Sequence, residues 1–493
     1  MVVSGGEDND HRRVVHPTVD DPVTAALSPG VGGPLGEHAG RHSWWTPVRV
    51  LLALTAICFA LGFVQRAPCY HAGWGSSEAN YSDMCYSDLP YLYVDRGFAE
   101  LDWPYSDAIA VRDRYDVMEY PVGISYYAYA SAYLTHWLSG SPNLDARGGM
   151  SQPQLAADPK VHRETLLFTA IEGVGFALCA LLAVWFLSGA HLRRPWDAAF
   201  FAASPALLLE GLINWDLLAA VCVAGALWAH ARGRAGLTGV MIGLGTAMKL
   251  YPLFLLGGLV VVYGRERRWR DLAGATVTGL STWMILNAPA FLSGRAQWNV
   301  FWTYNTHRKA DLGSVWLMLQ QMTQHTFWAH TINLVSWLFF GAWCAGVAVL
   351  GFNARLTPRL AQLGFLLVAG FLLVNKVYSP QYTLWLLPLA VLARPRWRDQ
   401  LIWQGGEILY YASVWWYLGG HLEPGGGGDP GFYWLAIIVR MAAQLYLVGI
   451  VVRDILLPEY DVVREVSWRD HFSWWRQGGP GQLALNPVPD GAG

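Results

Sequence analysis

Pro47-Val48-Arg49-Val50-Leu51-Leu52-Ala53-Leu54-Thr55-Ala56-Ile57-Cys58-Phe59-Ala60-Leu61-Gly62-Phe63-Val64-Gln65 is an apolar run broken by a single charge. It has the roughly 20 residues that a helix needs to cross about 30 Å of hydrocarbon. Further runs follow near residues 164–188, 196–213, 214–231, 236–251, 252–263, 271–290, 328–350, 358–375, 379–393, 400–419 and 431–453, several of them short. Hydrophobic residues make up 54% of the 493 and charged residues 14%, with a mean hydropathy of +0.26. One soluble core does not absorb so much apolar chain, and the pattern predicts an all-α polytopic membrane protein with about twelve transmembrane helices. A net charge of −2 argues against a nucleic-acid partner, which requires a basic face. The 26 tryptophans suit interface belts and a sugar-binding cleft.

Arginines orient the runs. Arg193 and Arg194, Arg232 and Arg234, Arg265 to Arg270, Arg355 and Arg359, and Arg394 to Arg398 fall in alternate connections, which the positive-inside rule makes cytoplasmic. The connections between them then face outward. They include a first loop at 66–163, a second large loop at 291–327, and the glycine run at 425–428. Residues 1–46, rich in Gly, Pro, Asp and His, read as a disordered cytoplasmic tail with no cleavable leader, residues 47–453 as the membrane domain, and residues 454–493 as a cytoplasmic tail whose Trp468, Trp474 and Trp475 suit the inner surface. The apolar, aromatic stretch 118–138 fits this scheme as a helix lying on the outer surface, its tyrosines at the interface. As a crossing it reverses every later loop.

The first loop is where chemistry concentrates. From Arg66 to Glu119 it holds ten acidic residues against four arginines. Asp88 is followed closely by Tyr91 and Tyr93, and a carboxylate beside apolar rings gains the basicity that proton abstraction needs. Capping of a helix at Leu89-Pro90 is the competing role. Glu119, just before Tyr120-Pro121, is the second candidate base. Cys69 and Cys85 lie in this loop and either pair in an oxidising compartment or remain thiols.

Only four lysines occur, Lys160, Lys249, Lys309 and Lys376, and all fall on the outer side in this scheme. Lys249-Leu250-Tyr251-Pro252 and Lys376-Val377-Tyr378-Ser379-Pro380 each place a lysine before a helix-starting proline. Such a lysine either holds a lipid phosphate or snorkels to headgroups. Asn375, Tyr378, Gln381 and Tyr382 add polar groups beside Lys376. Glu210, Asn214 and Asp216 cluster at the outer end of a hairpin, either to bind a sugar or as a polar turn, and Arg308 and Lys309 give the second large loop a basic edge. Glu172, Glu407 and Arg440 read as buried interhelical partners. The scattered histidines offer no metal-ligand spacing, and no cofactor is implied.

The segment Asp88 to Tyr93, Trp103-Pro104-Tyr105, Tyr120-Pro121 and Lys249-Leu250-Tyr251-Pro252 after Arg232-Gly233-Arg234 together resemble the family 87 glycosyltransferases of actinobacteria, membrane enzymes of the GT-C class. The resemblance spans roughly residues 47–453. It implies a GT-C-like helical bundle and a polyprenyl-phosphate sugar donor, commonly mannose. It also implies work on the outer face of the plasma membrane; the expected partners are a glycolipid or glycan acceptor and membrane lipids, and the arginine placement makes both termini cytoplasmic. It makes Asp88 the catalytic base, Lys249 the lysine of the Lys-Leu-Tyr-Pro phrase and Asn375 to Gln381 a late outer loop near the donor; Tyr91, Tyr120 and Tyr251 are further candidates for substrate binding. Two departures stand out: Tyr120-Pro121-Val122 replaces the family's Tyr-Pro-Pro, and Ile213 precedes Asn214 where Gly-Gln is usual. Arabinosyl transfer is an alternative. A lipid-sugar transporter or flippase is a rival from another class, although no inverted repeat is visible. A non-catalytic scaffold is disfavoured by the outer lysines and the acidic loop.

Overall fold

Thr46 accepts a hydrogen bond from Arg49 N and Pro47 follows it, so the first apolar run begins as a capped helix. In a computed structural model describing residues 44–75, 77–422 and 430–464, this helix, α1, spans Pro47–His71. The expected disordered tail, the glycine run and Trp468, Trp474 and Trp475 fall outside the described residues. The main helices that follow are α2 Leu89–Asp95, α3 Val122–Leu138, α4 Pro159–Ala190, α5 Pro205–Glu210, α6 Asp216–Ala231, α7 Ala235–Met248, α8 Leu255–Arg265 and α9 Trp269–Ser293. After them come α10 Arg295–His307, α11 Val315–Thr323, α12 Ala329–Asn353, α13 Leu360–Val374, α14 Thr383–Ala393, α15 Trp397–Leu418 and α16 Pro430–Leu456.

Four of these, α1, α4, α12 and α16, are both long and apolar enough to cross a bilayer. The shorter apolar helices include α6, α7 and α13, of 16, 14 and 15 residues. At 1.5 Å per residue a 14-residue helix rises only about 21 Å, less than a full hydrocarbon core. The run 196–213, read as one crossing, is instead a chain of short pieces: turns at Pro195–Ala198 and Ala199–Ala202, then α5. Pro205 causes the interruption, because it offers no N–H and its ring disfavours helical backbone just before it.

Small residues let the helices approach. A Cβ on Gly239 of α7 would lie 2.0 Å from Ala275 O of α9, so the two backbones touch at a seam that only glycine permits. Gly123 of α3 does the same against the end of α7, where an added Cβ would sit 2.5 Å from Met248 Sδ. The helix from the 118–138 stretch therefore packs against α4, α7 and α9, and brings Tyr120 and Pro121 beside Lys249.

Polar ends alternate along the bundle. Arg234, Arg359 and Arg394 mark one end of α7, α13 and α14, while Lys249, Asn375 and Tyr382 mark the other. At the arginine end ion pairs tie the last elements together: Arg359 and Arg464 hold Asp461, which follows α16, and Arg394 joins Asp399 of α15 to Asp454 of α16.

Candidate active site

The first loop is tied to α1 by a Cys69–Cys85 disulfide. Asp88 N then donates to Ile213 O at 2.9 Å and Ser87 Oγ to Leu212 O at 2.9 Å, which fastens the loop to the turn between α5 and α6. Asp88 occupies the cap position of α2 with helical dihedrals, φ −71° and ψ −26°, and its side chain makes no capping hydrogen bond. Its carboxylate faces the other way.

Tyr86 Oη donates to Asp88 Oδ1 at 2.8 Å, and Asn214 Nδ2 donates to Asp88 Oδ2 at 2.5 Å. Tyr120 Oη reaches the same oxygen at 3.4 Å and accepts from Asn214 Nδ2 at 2.9 Å. Asn214 is fixed in turn, because its Oδ1 takes the N–H of Trp215. Burial pushes the Asp88 carboxyl above the usual carboxylate range, against the opposing pull of the Tyr86 and Asn214 hydrogen bonds and of the Lys249 charge.

Lys249 ends α7 in an extended conformation, φ −148° and ψ 150°, because Tyr251-Pro252 starts a new turn. Its Nζ lies 3.3 Å from Asp216 Oδ1 and 5.0 Å over the Tyr120 ring centroid. Asp216 opens α6, where a negative charge is favoured, and also accepts Trp385 Nε1 at 2.6 Å. Trp385 is sandwiched between Tyr251 and Tyr382, at 4.6 and 4.1 Å between ring centroids. The Lys249 ammonium is thus held by the Asp216 carboxylate and electrostatically coupled to Asp88.

The remaining anticipated residues are distributed elsewhere. Glu119 pairs with Arg96 at 3.0 Å. Tyr91 Oη donates to Trp74 O and accepts from Asn80, so it supports the disulfide turn. Lys376 Nζ points to three carbonyls at the end of α10, Asn305 O at 2.6 Å and Thr306 O and Arg308 O at 3.2 Å. Burial, with Arg308 nearby, lowers its ammonium to about 8. Asn375 Oδ1 accepts from Lys376 N. Arg308 pairs with Asp311 at 2.7 Å, and Lys309 is exposed. Tyr378 Oη donates to Glu407, with Arg440 stacked 3.6 Å over its ring. Glu210 and Gln381 are buried, each with one oxygen lacking a hydrogen-bond partner. Among the described residues no group of three or more His, Cys, Asp or Glu converges on a metal position.

Three partners carried no assigned role in the sequence. Tyr86 sits two residues before Asp88 in the aromatic phrase, so proximity was a usable signal. Trp385 and Trp215 gave none, since each reads as one more apolar residue in a membrane run. Trp215 Nε1 donates to Glu172 Oε2 at 2.7 Å, and its ring meets Tyr120 edge-on.

A carboxylate of raised basicity coupled to a fixed ammonium can accept a proton and stabilise a departing anion in one site. Residues 164–375 match Glycosyltransferase family 87, a stretch that includes Asn214, Asp216 and Lys249. The chain is a glycosyltransferase. Asp88, Tyr86 and Tyr120 of the enzyme precede the matched stretch. A solved structure described as the crystal structure of ArnT from Cupriavidus metallidurans bound to undecaprenyl phosphate is similar at 15% identity, covering 88% of this chain and 81% of that one, with a TM-score of 0.41. No curated protein matches the chain.

Proposed function

We propose that the enzyme transfers a hexose, mannose by family resemblance, from a polyprenyl-phosphate sugar to a glycolipid or glycan of the cell envelope, with inversion at the anomeric carbon. One observation carries this reading: Asp88 is aimed by Tyr86, Asn214 and Tyr120, while Lys249 stands beside Asp216 in the same cluster. The acceptor hydroxyl gives its proton to Asp88 as its oxygen bonds to the anomeric carbon. The bond from that carbon to the phosphate oxygen breaks, and the leaving phosphate takes the electron pair.

Lys249 has three N–H donors and Asp216 takes one, so two remain for that phosphate. Charge on the leaving oxygen grows in the transition state, and a fixed ammonium there raises kcat rather than merely tightening binding. Asp88 is a catalytic residue in this scheme, Lys249 the phosphate ligand, and Asn214, Tyr120 and Tyr86 positioning residues. The Lys376 ammonium, turned to the end of α10, positions the 375–379 segment instead of touching phosphate. The arginines at the opposite helix ends and the disulfide at this end support placing the site on the outer face of the plasma membrane.

The test is transfer by purified enzyme in detergent, where translocation has no meaning. Polyprenyl-phosphate mannose and polyprenyl-phosphate arabinose are offered in parallel with an envelope glycolipid acceptor. Glycosylated product of inverted configuration from the mannosyl donor is expected. Product from the arabinosyl donor alone replaces the sugar assignment, and absence of any product from either donor overturns the reading.

A further inference from the structure

Trp385 Nε1 and Lys249 Nζ meet at one carboxylate oxygen, Asp216 Oδ1, at 2.6 and 3.3 Å. Trp385 is the middle ring of the stack with Tyr251 and Tyr382, and it is 6% exposed against 1% for Tyr251. Tyr382 is half-buried, so it is the ring of the three that meets open space. Its backbone is fixed in the turn Pro380–Tyr382 that leads into α14, where Tyr382 N donates to Ser379 O at 3.0 Å. Its ring lies 4.1 Å from Trp385 face to face and 6.0 Å from Tyr378 edge to face, between centroids. The hydroxyl itself has no hydrogen-bond partner among the described residues.

Charged groups from several elements face that hydroxyl. Tyr382 is electrostatically coupled to Arg308 foremost, then to Asp216, Asp311 and Asp88. Arg308 commits Nε and Nη2 to Asp311 Oδ2, at 3.2 and 2.7 Å, and its Nη1 takes no partner among the described residues. The strap carrying Arg308 and Asp311 is fastened to the chain just before Tyr382, Asp311 N donating to Lys376 O at 2.8 Å and Tyr378 N to Leu312 O at 2.7 Å. The cluster therefore includes a phenol hydroxyl and a guanidinium N–H that the fold leaves uncommitted. A phenol both donates and accepts, which suits a hydroxyl ligand, whereas a leaving phosphate offers acceptors only.

We propose that Tyr382 reads one ring hydroxyl of the donor sugar, with Arg308 Nη1 donating to the same hydroxyl, and so helps to set which sugar is transferred. The inference rests on the donor reading above: with the phosphate at Lys249 and the anomeric carbon before Asp88, the polar groups of the donor that remain are its ring hydroxyls. Tyr382 is coupled both to the carboxylate that holds Lys249 and to Asp88.

Tyr382→Phe keeps the ring against Trp385 and removes only the hydroxyl, so its thermal unfolding should match that of the wild type. Both full-length enzymes are assayed in detergent with polyprenyl-phosphate mannose and with analogues that each lack one ring hydroxyl. If arabinose proves to be the sugar transferred, the arabinosyl donor and its deoxy analogues take their place. For one analogue the wild type should lose about five- to tenfold in kcat/KM, and Tyr382→Phe should not distinguish that analogue from the parent donor. Intrinsic differences in donor reactivity cancel, because both enzymes meet the same pair of donors. A variant that loses the same factor with every donor overturns the proposal, since the phenol then acts on the phosphate or on the fold. A variant that misfolds overturns it too, because a hydroxyl on which folding depends is not free for a substrate. Wild-type transfer with no such coupling for any analogue ends this inference and leaves the proposed function standing, whereas a wild type that transfers from neither donor ends both.

Discussion

Replacing Asp88 by Asn removes the proton acceptor while leaving a side chain of the same shape. The amide oxygen can still take the Tyr86 hydroxyl, but its NH₂ then faces Asn214 Nδ2 across the present 2.5 Å contact. Asn214 has little freedom to turn over, because its Oδ1 holds the Trp215 N–H. The lost and mismatched hydrogen bond costs about 1–3 kcal/mol, and removal of a half-buried charge offsets part of it. The fold therefore survives. A general base contributes about 10²–10⁴ in rate, or roughly 3–5 kcal/mol of barrier. Single-turnover transfer from a radiolabelled polyprenyl-phosphate sugar should accordingly show kcat reduced by about two to four orders of magnitude, with donor KM little changed. The pH profile supplies an independent reading. Asp88 must be ionised to act, so wild-type kcat/KM falls as pH drops through its pKa, and burial places that limb above the ordinary aspartate value of about 3.9. The stability contribution runs the opposite way. A carboxyl whose folded pKa is raised favours the folded state fully below the unfolded value, and that contribution is lost as pH rises through the folded one. An Asp88→Asn enzyme that folds, turns over near the wild-type rate and retains the acid limb would refute the base assignment.

Tyr86→Phe deletes a hydrogen bond that lowers the Asp88 pKa, so the acid limb of kcat/KM should move to higher pH. A limb that stays in place removes Tyr86 from its positioning role. Lys249→Met leaves Asp216 buried without its counter-charge and should destabilise the enzyme by about 3–5 kcal/mol. Adding Asp216→Asn should restore stability but not activity, and a double variant that recovers transfer would argue that Lys249 acts only as a structural partner. Lys376→Met should cost about 1–3 kcal/mol through its lost carbonyl contacts, and leave donor KM unchanged. It should also abolish the gain in stability as pH rises from about 8 towards the ordinary lysine range, where the unfolded chain binds more protons. A donor KM that rises in the folded Lys376→Met enzyme would make Lys376 a phosphate ligand after all.

Sequence and structure meet most closely where covalent geometry or hydrophobic length acts locally. The run from Pro47 becomes a helix because its cap, its proline and its apolar composition all act within a few residues. The Lys249-Leu250-Tyr251-Pro252 phrase ends one helix and starts another for the same reason. The 196–213 run shows where that reasoning stops: hydropathy sums are blind to a Ser204-Pro205 break that leaves the apolar content intact. Partner choice is less visible still. Asp88 and Asn214 are 126 positions apart, and nothing in either neighbourhood specifies that the Asn amide rather than the Leu89-Pro90 helix end receives the carboxylate. The two lysine phrases make the same point, since one ammonium lands on a buried aspartate and the other on backbone carbonyls of α10.

What separates Lys249 from Lys376 is the helix that happens to lie opposite. The start of α6 presents Asp216 to Lys249, and a buried carboxylate holds an ammonium while leaving it two donors in a confined site. The end of α10 presents three carbonyls to Lys376, which match its three N–H bonds one for one and leave none over. Identical sequence chemistry therefore yields an ammonium with spare donors in one place and a saturated clasp in the other. That difference in remaining donors, more than the charge the two lysines share, is why Lys249 is the one assigned to a phosphate.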